Sequence, residues 1–351
     1  MARKSKANTS LKDVACSLPN YLDEVEIVKS DIFILDHILK GGLELGSSIQ
    51  LIAESGVGKS TIALQIAKNL CDKRKQVVYV DTESSITKEI LISTGVKEHL
   101  NKSFFYIKES NFDEVEKYLD MLINTNEISL VIIDSVAGLI NKCFTNLDKG
   151  VSITTNTTLY GSRPLTNFMS KYKSLASSKK FCLLLINQYR NRIDLMKGTV
   201  LKEYGGKNVK YNSDIILKIS PIKSTSINKE FKDMSKPYDN GTELEFEVIK
   251  SNKGYPEEVY PFYLCYGVGI SNICNCLYAQ LKCGVIQQNG AYYETTYKGV
   301  TIKEKGMKSF FRVLSIYITD IRELYDENLI HVYNSINSKE WKCWVLRTWI
   351  E

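Results

Sequence analysis

The chain has 351 residues and a formal charge of +6, from 46 Lys and Arg against 40 Asp and Glu. With 44% hydrophobic and 25% charged residues it has the make-up of an ordinary globular protein, which argues against a disordered or fibrous chain. No apolar run approaches the roughly 20 residues that cross a bilayer, and the basic first ten residues lack the apolar stretch of a secretory signal, so no membrane segment is expected. Nine cysteines scattered along so long a chain are not a disulfide framework. Cys274, Cys276 and Cys283 lack paired spacing and a nearby His, and read as structural rather than metal-binding. A cytosolic compartment is the expectation. The excess of positive charge permits a polyanionic partner without requiring one.

In chain order, residues 1–26 are polar and then mildly amphipathic, with Leu11, Val14, Leu18 and Leu22 at near-helical spacing but too few to hold a core. Residues 27–268 alternate apolar and amphipathic runs. Strands are predicted at 49–52, 77–80, 104–107, 130–133, 181–186, 214–219 and 244–249, with helices between several of them, as at 62–73 and 112–123. Buried strands alternating with helices imply an α/β fold with a mostly parallel twisted sheet covered on both faces. The last runs lack intervening helices and point to an antiparallel extension. Beyond Gly269 the texture changes: 270–281 looks helical, 290–299 looks like a small Tyr-rich hairpin, and 307–351 carries more helix. Trp341, Trp344 and Trp349 near the end are expected to pack in a core or an interface. Three regions follow: a segment 1–26, a core 27–268 and a small α+β domain 269–351.

The most informative motif is Ala53-Glu54-Ser55-Gly56-Val57-Gly58-Lys59-Ser60. It lies between a predicted strand and a predicted helix, the context a phosphate-binding loop requires. Small residues let the backbone of Glu54, Ser55, Gly56, Val57 and Gly58 curl round phosphates and aim N–H groups at them, with the helix N-terminus adding positive potential. Lys59 can reach the β- and γ-phosphates of a bound nucleotide, and Ser60 can place its hydroxyl on Mg²⁺. A second element, Leu130-Val131-Ile132-Ile133-Asp134-Ser135, ends an apolar strand in a carboxylate that would face the Mg²⁺ region. A third, Val77-Val78-Tyr79-Val80-Asp81-Thr82-Glu83, places Glu83 just past a strand end, where it can orient or deprotonate an attacking water. Asp81 competes for that role on sequence grounds, and either residue could instead cap the next helix.

Taken together the motifs resemble the RecA recombinases. The phosphate loop, the strand leading to Glu83 and the strand ending at Asp134 come first. More telling is Leu185-Ile186-Asn187-Gln188-Tyr189-Arg190, followed by a polar stretch that closes in Gly205-Gly206-Lys207-Asn208. The strings around 264–270 and 289–299 resemble the end of the family's core and the hairpin beyond it. This resemblance implies a RecA-like P-loop ATPase core whose first 26 residues serve oligomerisation. It implies ATP and Mg²⁺ as cofactors, with Lys59, Ser60 and Thr61 on phosphate and metal, Asp134 linked to the metal and Glu83 as catalytic glutamate. Gln188 would sense the γ-phosphate. A first DNA-binding loop falls at 141–159 and a second at 189–207. Lys250 and Lys253 match two lysines that reach a neighbour's ATP, here separated by two residues instead of one. No intramolecular anion is obvious for them from the sequence.

Some departures narrow the resemblance. The first loop region is a few residues longer than in bacterial RecA, Ile90 replaces an adenine-stacking tyrosine, and the long acidic tail is missing. The start of the chain is closer to the UvsX branch of phage recombinases, and a Lys-, Asn- and Ile-rich composition suits an AT-rich phage genome. From the residues alone, Arg190, Asn191, Arg192, Ile193, Leu195, Met196 and Lys197 mix cations with apolar groups that can neutralise phosphates and wedge between bases. Lys202, Lys207 and Lys210 add charge nearby. The expected protein is a DNA-dependent ATPase forming helical filaments on single-stranded DNA and pairing it with double-stranded DNA. Single-strand-binding and mediator proteins are its expected partners in a bacterial or infected-cell cytoplasm. A ring helicase and an accessory ATP-binding regulator are the alternatives.

Overall fold

The computed structural model describes residues 25–314, apart from 126, 140–156, 195–197, 205, 223–240, 253–258, 266–268, 271, 273–274, 276–283, 298, 307–308 and 311–312. The segment 1–24, most of the first loop region, Leu195, Met196, Lys197, Gly205, Lys253, the three clustered cysteines and the tryptophans lie outside the described residues.

A two-residue strand β1 (Ile27–Val28) and a short helix α1 (Phe33–Ile38) lead to β2 (Leu43–Glu44), which pairs back on β1. Then come β3 (Ser48–Ala53), α2 (Lys59–Asp72), β4 (Gln76–Asp81), α3 (Lys88–Ser93), β5 (Phe104–Lys108), α4 (Phe112–Thr125) and β6 (Ile128–Asp134). A long helix α5 (Thr157–Lys179) precedes β7 (Cys182–Asp194), β8 (Gly198–Glu203) and α6 (Gly206–Asn212). The core closes with β9 (Ile215–Pro221), β10 (Gly241–Ser251), β11 (Val259–Cys265) and β12 (Gly269–Ile270). A separate antiparallel sheet follows, of β13 (Gln287–Asn289), β14 (Tyr292–Tyr297) and β15 (Val300–Lys305).

Nine strands of the main sheet run in the order β12-β11-β10-β9-β3-β7-β6-β4-β5, with β8 paired to β7 off that path. From β9 to β5 all neighbours are parallel, while β9, β10, β11 and β12 pair antiparallel, the extension the missing helices pointed to. The central strands are buried on both faces because their side chains divide with period two. Val77, Tyr79, Leu130, Ile132, Cys182, Leu184 and Ile186 join the cluster built on α2. Val78, Val80, Val131, Ile133, Leu183 and Leu185 join the cluster built on α4 and α5. Helix α4 shows why: Phe112, Val115, Leu119 and Ile123 recur at helical spacing and are its buried residues.

Two readings of the sequence need correction. The polar stretch after Gln188 is a β-hairpin rather than a loop. Strand β7 continues for six residues past Gln188 and pairs with β8 from Tyr189↔Glu203 to Asp194↔Gly198. That ladder satisfies main-chain groups which a bare loop would leave to water. Gly206, Lys207 and Asn208 open helix α6, and Thr157, Thr158 and Leu159, assigned to the first loop, begin α5.

Candidate functional site

Parallel pairing aligns the carboxyl ends of four strands on one edge of the sheet, where α/β folds place their ligands. The register sets Ala53 of β3 opposite Gln188 of β7, and Asp81 of β4 opposite Asp134 of β6. The phosphate loop leaves β3 at Ala53 and enters α2 at Lys59, with Gly58 as its N-cap at φ 95°. That left-handed conformation suits glycine, and a Cβ there would also collide with the Leu264 side chain of β11. Glu54, Ser55 and Gly56 are exposed, and Val57 packs against the core.

Lys59 is 6% exposed, and its ammonium donates to the loop's own carbonyls, Ala53 at 3.2 Å and Glu54 at 2.6 Å. Burial lowers its pKa, while the charges of Asp134 and Glu83 pull it back up. Asp134, at the end of β6, accepts a hydrogen bond from the Tyr79 hydroxyl, and Ser60 stands beside it. Burial raises the Asp134 pKa; the Tyr79 and Ser60 hydroxyls lower it, and the charges of Asp81 and Glu83 add to the rise.

The two competing carboxylates stand in different surroundings. Asp81 is fully buried and accepts from the Ser85 N–H at 3.2 Å, the Ile86 N–H at 3.0 Å and the Tyr106 hydroxyl at 2.7 Å. Its oxygens are therefore committed to the turn that follows β4. Glu83 is exposed; its Oε1 accepts from Gln188 Nε2 at 2.9 Å and from the Ser135 hydroxyl. Thr82 ties the two strand ends together: its N–H donates to the Asp134 carbonyl, and its hydroxyl bridges the Ser135 N–H and carbonyl, both at 2.8 Å. Gly138 is what lets the next turn come so close, since a Cβ there would strike the Thr82 hydroxyl. The Asp134–Ser135 peptide is cis.

Asn187 anchors the base of the hairpin. It is fully buried, its Nδ2 donates to the Tyr204 carbonyl at 3.0 Å, and its Oδ1 accepts from the Gln188 N–H at 2.8 Å. Arg190, Asn191, Arg192 and Ile193 lie on the outgoing strand of that hairpin, and Gly206, Lys207 and Asn208 follow its return.

Lys250 stands apart from this group. It pairs with Ile216 on β9, which in turn aligns with Gln50 on β3, and its ammonium donates to the Ser213 carbonyl at 2.6 Å and the Lys210 carbonyl at 3.1 Å. These carbonyls precede β9, so Lys250 faces the amino edge of the parallel strands, away from the phosphate loop of its own chain. An anion is close after all: Asp214 raises the Lys250 pKa, although burial and the charges of Lys173 and Lys210 leave it lowered overall. A cavity of about 730 Å³ opens on this far edge beside Lys173, Asp214 and Asn252 and shares no residue with the phosphate loop.

Sequence reasoning missed Tyr79, Thr82, Ser135 and Asn187 as parts of the site, and Tyr106 as the residue beside it that holds Asp81. A signal existed for Tyr79, whose phenol in an all-aliphatic buried strand requires a partner. Among the described residues no three His, Cys, Asp or Glu side chains converge on a metal position. A divalent cation here would rest on Ser60 and Asp134, two neighbouring hard oxygen donors, with substrate phosphates and water completing its shell. That set fits Mg²⁺, which keeps few protein ligands.

Strand, glycine loop, helix and a carboxylate on a nearby parallel strand define a protein of the phosphate-binding-loop α/β class. A family model described as the RecA N-terminal domain matches residues 14–271, and the chain belongs to that family. Curated relatives are similar over most of their length. Protein RecA of Saccharopolyspora erythraea is 25% identical over 276 residues, which is 78% of this chain and 75% of that protein. Protein RecA of Heliobacterium modesticaldum is 25% identical over 291 residues, 82% of this chain and 79% of that protein. Protein RecA of Mycoplasma mycoides subsp. mycoides is 24% identical over 273 residues, 77% and 74% of the two chains. Among the described residues no helix is long and apolar enough to cross a membrane.

Proposed function

We propose that this chain is an ATP-driven DNA strand-exchange protein that polymerises as a helical filament on single-stranded DNA and pairs that strand with homologous duplex. The observation that carries the reading is the hydrogen bond from Gln188 to Glu83 at the foot of the β7–β8 hairpin. One partner belongs to the group around Lys59, and the other sits where the same strand leaves the sheet for the candidate DNA-binding residues. A change at the γ-phosphate would reach Arg190, Asn191, Arg192 and Ile193 through one continuous strand, so nucleotide state would set DNA affinity.

In this reading Lys59 exchanges the carbonyls of Ala53 and Glu54 for the β- and γ-phosphates of ATP. The N–H groups of the loop and the start of α2, with Ser60 and Thr61, hold the triphosphate. Ser60 and Asp134 would hold Mg²⁺, which when bound would supply charge neutralisation on the phosphates. Glu83 orients the attacking water and accepts its proton. Lys250, on the opposite edge of the sheet, serves the ATP of a neighbouring subunit, together with Lys253. Residues 1–26 form the polymerisation segment, 27–268 the motor and 269–351 a small domain of its own. The start of the chain and its Lys-, Asn- and Ile-rich composition favour a phage-type, UvsX-like member, working in the cytoplasm with single-strand-binding and mediator proteins.

Electron microscopy with single-stranded DNA and a slowly hydrolysed ATP analogue tests the core of this reading. Helical filaments are expected; closed rings would indicate a helicase, and bare DNA an accessory regulator. DNA binding should be led by the backbone and weaken steeply with salt. Replacing Arg190 and Arg192 together should flatten the log–log salt slope by about 0.7 for each lost phosphate contact. An unchanged slope would move the DNA site elsewhere.

A further inference from the structure

We infer that Tyr79 is a positioning residue for the divalent cation of the ATP site, acting through its hydrogen bond to Asp134. Tyr79 sits in the middle of β4 between Val78 and Val80 and is fully buried. Packing alone would be served there by another aliphatic residue, and burying a phenol costs free energy unless its hydroxyl finds a partner. The partner it finds is Oδ2 of Asp134, the carboxylate that stands beside Ser60. A carboxylate offers two oxygens and about four lone-pair positions. Tyr79 occupies one position from inside the sheet, which fixes the rotation of the carboxyl group. The remaining positions are left toward Ser60 and the phosphate loop.

The ring packs against two aromatic residues of β5. It stacks on Tyr106 at a centroid distance of 6.4 Å and lies 6.0 Å from Phe104. Tyr106 makes the parallel bond to Asp81, so two neighbouring tyrosines each hold one of two neighbouring carboxylates. The Tyr79 hydroxyl is the donor of this bond, because an ionised carboxylate offers only acceptor positions. Partners behind a metal ligand act by orienting it, and losing one costs about 10- to 100-fold in metal affinity.

The inference rests on the nucleotide-site reading above, and the experiment separates the two. Binding of a fluorescent ATP analogue is measured with EDTA and then across a Mn²⁺ titration, with bound Mn²⁺ counted by electron paramagnetic resonance. Each protein is studied well below its unfolding transition. Tyr79→Phe keeps the ring and its packing. It is expected to bind the analogue like wild type in EDTA while needing about 10-fold or more Mn²⁺ to half-saturate. Tyr106→Phe removes the sister hydroxyl, which serves Asp81, and should leave the Mn²⁺ midpoint unchanged. A wild-type Mn²⁺ midpoint in folded Tyr79→Phe overturns the inference, and so does an equal shift in both variants. Wild-type protein that binds no analogue under any condition overturns the site reading and the inference with it.

Discussion

At the carboxyl edge of the sheet, Glu83 and Asp134 bear on one ammonium, that of Lys59, whereas at the opposite edge Lys173 and Lys250 bear on one carboxylate, that of Asp214. The two edges also differ in how their charges are satisfied. Asp214 accepts from Lys173 at 2.7 Å, from the Ser48 N–H and hydroxyl at 2.9 Å and from Asn252 at 3.0 Å. Burial would raise its pKa, but these bonds, led by that from Lys173, hold it below the usual carboxylate value. Asp134 is held above that value by burial, with fewer bonds to offset it. A carboxylate below its usual range strengthens the fold, and one above it weakens the fold while waiting for a cation. The far edge adds stability to the fold and the near edge takes some away, as a site proposed to bind a cation would.

The strongest way to break this comparison is Lys59→Ala. Without a point charge for the β- and γ-phosphates, ATP hydrolysis and nucleotide-driven filament formation should be lost. Near-normal turnover in a folded variant would remove the site from this edge. Next in size is Glu83→Gln, which keeps shape but loses basicity. ATP and DNA binding should persist while hydrolysis slows by about 10²-fold or more. If Asp81→Asn stops turnover and Glu83→Gln does not, the committed and the free carboxylate have been exchanged.

A third test sets one edge against the other. Lys250→Ala should leave ATP binding by the single subunit nearly intact and remove the DNA-stimulated part of hydrolysis. Mixed with Lys59→Ala, it should recover part of that activity, because some interfaces then join an intact loop to an intact lysine. No recovery in mixed filaments would confine Lys250 to its own subunit.

The smallest effect is on stability, and its sign carries the information. The folded pKa of Asp214 is depressed, so its contribution is present above the ordinary value of 3.8 and lost as pH falls through the folded value. Asp214→Asn should cost about 1–3 kcal/mol at pH 7, and the gap to wild type should narrow below about pH 4. The folded pKa of Asp134 is raised, so its charge penalises the ligand-free fold at neutral pH. Asp134→Asn should therefore raise the melting temperature at pH 7. Equal and like-signed shifts in the two variants would erase the distinction between the edges.

Much of the near edge could be read from the sequence because its chemistry is local. The phosphate loop is one contiguous string, and Asp134 ends a strand whose apolar run is unmistakable. What could not be read is what the register decides. Asp81 and Glu83 are two residues apart, and only the turn after β4 shows that the Ser85 and Ile86 N–H groups take Asp81 while Glu83 meets Gln188, 105 positions away. Tyr79 could be suspected from its setting, but its bond to Asp134 needs β4 and β6 side by side. The hairpin was obscured by its polar composition, since strand prediction relies on apolar periodicity, and β7 outruns its own apolar stretch by eight residues, from Asn187 to Asp194.

Among the described strands, β7 pairs with three others, β3, β6 and β8. Its first half is clamped on both sides by the strands that bear the phosphate loop and Asp134, and its second half, among the described residues, pairs with β8 alone. Six residues separate Gln188 from the hairpin's far end at Asp194, about 20 Å of extended chain. In the proposed function such a member would work as a lever with its fulcrum at Asn187. A tilt of about 5° at the clamped end sweeps the far end through nearly 2 Å, more than half the roughly 3 Å length of a hydrogen bond.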